Sequence, residues 1–85
     1  MPTKSVVVGS AVGLHARPAA IISEAAGELD SEVLIGVPGG EPVDASSALL
    51  IMTLGAGKGA TIEVSGDDQA AVDKISALVE QDLDA

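Results

Sequence analysis

The chain has 85 residues with neither aromatic residues nor cysteine, so we expect one domain, residues 1–85, with an aliphatic core and no disulfide or thiolate metal site. Its 13 acidic and 4 basic residues give a formal net charge of −9, which argues against nucleic acid or an anionic membrane as a partner. No apolar run is long enough for a membrane span or a signal peptide, and we therefore expect a cytoplasmic protein without membrane insertion.

The first predicted elements are a strand and a helix. Residues 4–8 are predicted to form a strand, in which alternation places Val6 and Val8 on one face. A loop with two glycines follows, and a helix is predicted over residues 16–28. The residues that recur at helical spacing, and that we expect to face the core, are Ala19, Ile22, Ala26 and Leu29.

The start of this helix carries the strongest chemical signal. Pro18 is tolerated only in a first turn, which places the helix start near Ala16 and His15 in or beside the N-cap. A helix start offers free N–H groups to an anion, and Arg17 adds a forked cation. The neutral imidazole of His15, the only histidine, has a lone pair that can attack phosphorus. The spacing therefore predicts a phosphate-supporting helix start beside a nucleophile; the alternative is a surface histidine next to a solvated arginine.

Two further strands are predicted over residues 32–37 and 42–44, joined by a Pro-Gly-Gly turn. The second begins with proline, which cannot donate to a ladder, so we expect it at a sheet edge. Ser46 or Ser47 then caps a short second helix that ends before Gly55.

This second helix is apolar on all sides, and such a helix is either fully buried or docks a partner. We expect Ile51 and Leu54 to face the core. The alternative for the remaining apolar residues is a second core-facing stripe. The residues predicted to dock a partner are Ala48, Leu49, Met52 and, on the first helix, Ala20.

The loop over residues 55–59 contains Gly-Lys-Gly and superficially resembles a nucleotide loop. A P-loop would need glycine where Met52 stands and Ser or Thr where Gly59 stands. Because both requirements fail, we interpret the loop as a connection.

The last predicted elements are a strand over residues 60–65, with Ile62 and Val64 inward, and a helix that starts at residues 66–68. The order β-α-β-β-α-β-α predicts an α+β two-layer sandwich. The expected core stripe of the last helix is Val72, Ile75, Val79 and Leu83.

The run Gly-Leu-His-Ala-Arg-Pro-Ala at residues 13–19 resembles the active-site motif of HPr, the phosphocarrier family of the bacterial sugar phosphotransferase system. The resemblance covers essentially the whole chain. It implies an open-faced sandwich whose four-stranded antiparallel sheet has the order 1-4-2-3, with three helices on one face. It also implies that His15 accepts a phosphoryl group on Nδ1 from phosphorylated enzyme I and donates it to sugar-specific IIA domains, while Arg17 steadies the group.

The same resemblance implies a monomeric carrier protein that is not an enzyme and needs no cofactor. The alternative is a regulatory module of the same fold. In many Gram-positive members a serine at the start of the second helix is phosphorylated by HPr kinase, and alignment places Ser47 there, with Ser46 as second choice; a transcription regulator would then be a partner. The residue before that serine is often basic in the family, and here it is Ser46.

Other classes fit poorly. A single histidine and the absence of a Gly-x-Ser-x-Gly elbow argue against a hydrolase. The scattered carboxylates match no metal-ligand spacing, so no metal site is expected.

Overall fold

The computed structural model describes residues 2–11 and 13–81 of the chain. These residues form four strands and three helices in the predicted order β-α-β-β-α-β-α. The elements are β1 Thr3–Val7, α1 Ala16–Gly27, β2 Val33–Gly36, β3 Val43–Asp44, α2 Ala48–Thr53, β4 Thr61–Gly66 and α3 Gln69–Glu80.

The strands form one antiparallel sheet in the order β1-β4-β2-β3. The first and last strands of the chain are neighbours, with Val6 opposite Ile62. On its other side β4 pairs with β2, where Ile35 lies opposite Val64. The implied order 1-4-2-3 is confirmed, and β3 is the short edge strand that its proline predicted.

One face of this sheet is buried and the other faces solvent. Along β4, Ile62 and Val64 are fully buried. Thr61 is exposed, and Glu63 and Ser65 are partly buried. This period of two is typical of an antiparallel sheet covered on one side. All three helices therefore lie on one face, as predicted.

The core between sheet and helices is aliphatic. Its largest fully buried side chains include one isoleucine from each of five elements, and burial of such a side chain stabilises the fold by about 1.5–3 kcal/mol. The core thus closes without an aromatic ring. These isoleucines are Ile22, Ile35, Ile51, Ile62 and Ile75.

The predicted core stripes agree with the observed burial. Six of the predicted positions on α1 and α3 are buried, and Leu29 is partly buried against the core, whereas Leu83 lies outside the described residues. The strand bounds differ from the predicted ones by one residue at their ends; Pro42, which has no N–H to contribute to a ladder, precedes β3. The six buried positions are Ala19, Ile22, Ala26, Val72, Ile75 and Val79.

None of the helices among the described residues is long and apolar enough to cross a membrane.

Ser76 is an exception within the core. It lies in α3 with 0% exposure, and its Oγ has no hydrogen-bond partner among the described residues. A buried hydroxyl without a partner costs about 1–3 kcal/mol, because its interactions with water are lost and not replaced.

We therefore expect Ser76→Ala to raise the free energy of unfolding by about 1 kcal/mol, measured by urea denaturation. Ser23→Ala is the control, because the Ser23 Oγ donates to the Ala20 carbonyl at 3.0 Å on an exposed part of α1; that change should stay within about 0.5 kcal/mol. A loss of stability in Ser76→Ala equal to or larger than that of the control would contradict the assignment of an unpaired hydroxyl.

Candidate functional site

His15 occupies the N-cap position of α1, as predicted, with an extended backbone at φ −87° and ψ −162°. Its side chain is exposed and makes no capping hydrogen bond. Most N-cap side chains satisfy an N–H group of the first turn through an oxygen atom. The N–H groups at the start of α1 have no acceptor within their own helix, and here no N-cap side chain supplies one.

The backbone on both sides of His15 is anchored. Leu14 is 2% exposed, and its N–H donates to the Ala56 carbonyl at 2.9 Å. On the other side Pro18 and Ala19 are buried, and the Ala19 N–H donates to the His15 carbonyl at 2.9 Å. The backbone that carries this exposed side chain is therefore held on both sides, and group transfer depends on such positioning.

Gly13 makes this anchoring possible. Its φ is +75°, in the left-handed region that favours glycine. A Cβ atom at this position would lie 2.7 Å from the Gly57 Cα atom, closer than any side chain allows. The segment before His15 and the loop after α2 are therefore in direct backbone contact.

Arg17 lies in the first turn of α1, is exposed, and forms no ion pair with another described residue. Because Pro18 has no N–H, the donors of this turn are the N–H groups of Ala16 and Arg17. The structure thus brings Ala16, Arg17 and Pro18 together beside His15, although Pro18 is buried and contributes by packing. An anion attached to His15 would be within the field of the helix start and the guanidinium.

α2 buries a single side chain, Ile51. Leu49 is 69% exposed, Leu50 39% and Met52 36%; we call these three residues the α2 patch. Leu49 and Met52 are thus exposed, as docking requires. Ala48 is half-buried and packs against the core, so it offers less surface to a partner. Docking itself stays a prediction, and so does the contribution of Ala20, which is exposed on α1.

Leu50 belongs to the patch, although its position in the sequence does not predict docking. The signal that could have revealed it is helix length. A six-residue helix makes fewer than two turns, so a single buried side chain leaves most of its circumference exposed.

The two serines before α2 have different roles in the structure. Ser47 is the N-cap, and its Oγ accepts from the Leu50 N–H at 3.3 Å. Ser46 instead donates to Oδ1 of Asp44, from its Oγ at 2.7 Å and from its N–H at 2.9 Å. The hydrogen bond from the Ser46 hydroxyl, followed by that from its N–H, holds the pKa of Asp44 below its ordinary value of 3.8. Of the two predicted caps, the structure therefore selects Ser47.

Known proteins share both the sequence pattern and the fold. The family model "PTS HPr component phosphorylation site" matches residues 2–81. The phosphocarrier protein HPr of Streptomyces coelicolor is 39% identical over 87 residues, covering 99% of this chain and 94% of the relative. The phosphocarrier protein NPr of Shewanella violacea is 38% identical over 84 residues, covering 95% and 91%. The crystal structure of HPr from Bacillus anthracis superposes with a TM-score of 0.84 at 31% identity, covering 92% and 95%.

The contact between Ser46 and Asp44 gives a prediction for pH. We expect Ser46→Ala to raise the pKa of Asp44 toward 3.8, because the largest cause of its depression is removed. The measurement is an NMR titration of the Asp44 carboxyl group. Ser47→Ala is the control: it removes the cap of α2 and leaves both donors to Asp44 in place.

The same hydrogen bonds make one contribution to the pH dependence of stability. Because the pKa of Asp44 is lower in the folded state, the unfolded state binds more protons in this pH range. The stabilisation that ionised Asp44 contributes to the fold is therefore present above about pH 3.8. It is lost as pH falls through the pKa of the folded state. A pKa of Asp44 that is the same in Ser46→Ala and in the unchanged protein would contradict the assignment.

Proposed function

The chain belongs to the HPr family, the phosphocarrier proteins of the bacterial phosphotransferase system, and on that premise we propose that His15 is the residue that carries the phosphoryl group. Members of this family carry a phosphoryl group between other proteins and are not catalysts with a turnover of their own. We propose phosphorylated enzyme I as the donor and the sugar-specific IIA domains as acceptors.

The observation that carries the proposal is the free imidazole at the N-cap of α1. His15 is exposed, is not used as a cap, and is anchored through Leu14 and Ala19. A histidine kept only to stabilise the helix would make the capping bond. A histidine that must enter a partner's active site needs the exposure and the fixed backbone instead.

The proposed chemistry is a reversible transfer between nitrogen and a partner side chain. The lone pair of Nδ1 attacks the phosphorus atom held by enzyme I; the new N–P bond forms as the bond to enzyme I breaks, and the proton of the ring stays on Nε2. Transfer to a IIA domain is the same step with the carrier as donor. Catalysis of phosphoryl transfer depends on positioning and on stabilising charge, and the residues that supply these here are Ala16 and Arg17.

The α2 patch is the surface we propose for partner contact. It lies on a helix that packs against α1, and α2 is followed by the loop that accepts the Leu14 N–H. The loop that follows the patch is therefore joined by one backbone hydrogen bond to the residue before the histidine. Exposed leucine and methionine side chains at the centre of an interface lose water on binding and contribute apolar area.

Three further features remain proposals. The match over residues 2–81 supports a single HPr-like domain, and we propose that it acts as a cytoplasmic monomer. Phosphorylation of Ser47, the basis of the regulatory alternative, stays a prediction: its hydroxyl is occupied as the cap of α2, and no structural feature favours that alternative over the carrier.

Replacement of the histidine tests the central claim. We expect His15→Ala to abolish phosphorylation by enzyme I and phosphoenolpyruvate, measured as the intact mass of the protein. The melting temperature should change little, because the side chain is exposed. Arg17→Ala should still be labelled at the same residue, but more slowly, since only charge stabilisation is removed. Phosphate found on another residue in His15→Ala would disprove the assignment.

The second test concerns docking. We expect Leu49→Glu to raise KM for enzyme I about tenfold, because an unpaired carboxylate at an interface is costly to desolvate. Its cost in stability should be under about 1 kcal/mol. Val7→Glu is the matched control, since Val7 is 53% exposed on β1, away from α2. Equal effects of the two variants on KM would show that the patch does not dock enzyme I.

A further inference from the structure

The end of α3 lacks the caps that helices commonly have. Gln81, which follows the helix, has an extended backbone at φ −78° and ψ 151°, whereas many helices close with a left-handed glycine. The last turn of α3, residues 77–80, also contains no basic side chain that could bond its carbonyl groups. A helix leaves its last carbonyl groups without a donor from its own backbone, so those of α3 need partners from elsewhere in the fold.

The segment before His15 supplies these partners. The Gly9 N–H donates to the Val79 carbonyl at 3.1 Å. The Ser10 Oγ donates to the Gln81 carbonyl at 3.3 Å, across 71 positions of the sequence. Ser10 has 0% exposure, and a hydroxyl is buried at low cost only where it is hydrogen-bonded. Residues 9 and 10 therefore cap α3 from a distant part of the chain.

Gly9 permits the close approach on which this capping depends. A Cβ atom on Gly9 would overlap the Glu80 carbonyl oxygen and lie 2.7 Å from the carbonyl carbon. Its φ is not positive, so the glycine is required by space and not by the conformation of the backbone. The segment before the histidine and the end of α3 are thus in direct backbone contact, with no room for a side chain between them.

The path from this contact to the histidine is short. As the N-cap, His15 is held by α1 on its carbonyl side, so its other side depends on the segment before it. In that segment the Ser10 carbonyl accepts from the Gly13 N–H at 3.0 Å. The bond from Leu14 to Ala56 fixes one point of the segment. The contact with α3 supplies a second fixed point, and two points define the direction in which the chain enters α1.

We propose that Gly9 and Ser10 are positioning residues for His15, because they dock the segment before the histidine on the end of α3 and so fix how the imidazole is presented. This inference rests on the proposed function, since it concerns the residue that accepts the phosphoryl group. Ser10 is fully buried, so it acts through the backbone and not on the phosphoryl group. A misplacement of about 1 Å can cost group transfer about a hundredfold in rate.

The test is the rate of phosphorylation by enzyme I and phosphoenolpyruvate over a range of carrier concentrations. We expect Ser10→Ala to lower kcat about threefold and Gly9→Ala about tenfold, with KM unchanged within about twofold. A variant that is only less stable behaves differently: less of it is folded, which raises the apparent KM and leaves kcat unchanged. Ser76→Ala is the matched control, because it removes an equally buried hydroxyl that bonds no described residue; its kcat should change less than about twofold.

Amide hydrogen exchange, followed by NMR, is a second measurement and needs no partner protein. The Gln81 N–H donates to the Ala77 carbonyl at 3.2 Å within the last turn of α3, and the Gly9 N–H donates to the Val79 carbonyl. We expect both amides to exchange about threefold faster or more in Ser10→Ala, because the contact between the segment and the helix end opens more often. Neither should exchange faster in Ser76→Ala.

The possible results separate the positioning role from the carrier function. If the unchanged protein is labelled on His15 and Ser10→Ala changes only KM, or neither constant, the positioning role is wrong and the carrier function stands. Exchange of the Gly9 and Gln81 amides at the same rate in Ser10→Ala and the unchanged protein would also overturn it. Because Ser10→Ala introduces no overlap, it decides the question even if Gly9→Ala does not fold. If the unchanged protein is not labelled on His15 at all, the proposed function itself fails.

Discussion

The contact between the backbone before His15 and the loop after α2 is the constraint on which the site depends. Gly13 has no side chain and a positive φ, so the chain can lie against Gly57 and still deliver Leu14 into the core. The Leu14 N–H then bonds to the Ala56 carbonyl. One close approach therefore sets how the histidine is presented and which part of the chain lies beside it.

The start of α1 lacks the stabilising side-chain cap that the other two helices have. Serine and aspartate cap α2 and α3, where Ser47 and Asp68 each accept a hydrogen bond from a backbone N–H of the first turn. Their counterpart on α1 is His15, which makes no such bond. A side-chain cap is worth about 1 kcal/mol, and leaving it out keeps both the imidazole and the helix N–H groups free for a phosphoryl group.

The shortness of α2 has a comparable consequence. With a single buried anchor, Ile51, the helix contributes to the core and still exposes leucine and methionine side chains. The core does not need them, because strands and the longer helices already supply isoleucine from both layers. Leu49, Leu50 and Met52 therefore remain as apolar surface on a helix that packs against α1.

The sequence by itself determined the order of the elements, the inward positions of β4 and α3, the start of α1 after His15 and the edge position of β3. Each follows from neighbours within one or two turns: alternation at Ile62 and Val64, helical spacing at Val72 and Ile75, and the missing N–H of proline. The family resemblance added the strand order, which spacing alone does not give.

Tertiary structure alone decided the rest. It placed Leu14 against Ala56, more than forty residues away along the chain, and so joined the histidine to the loop after α2. It also exposed Leu50 and divided the roles of Ser46 and Ser47. These outcomes depend on which distant backbone groups and side chains come into contact, and local periodicity contains no information on such contacts, because they form only when the sheet and the helices pack together.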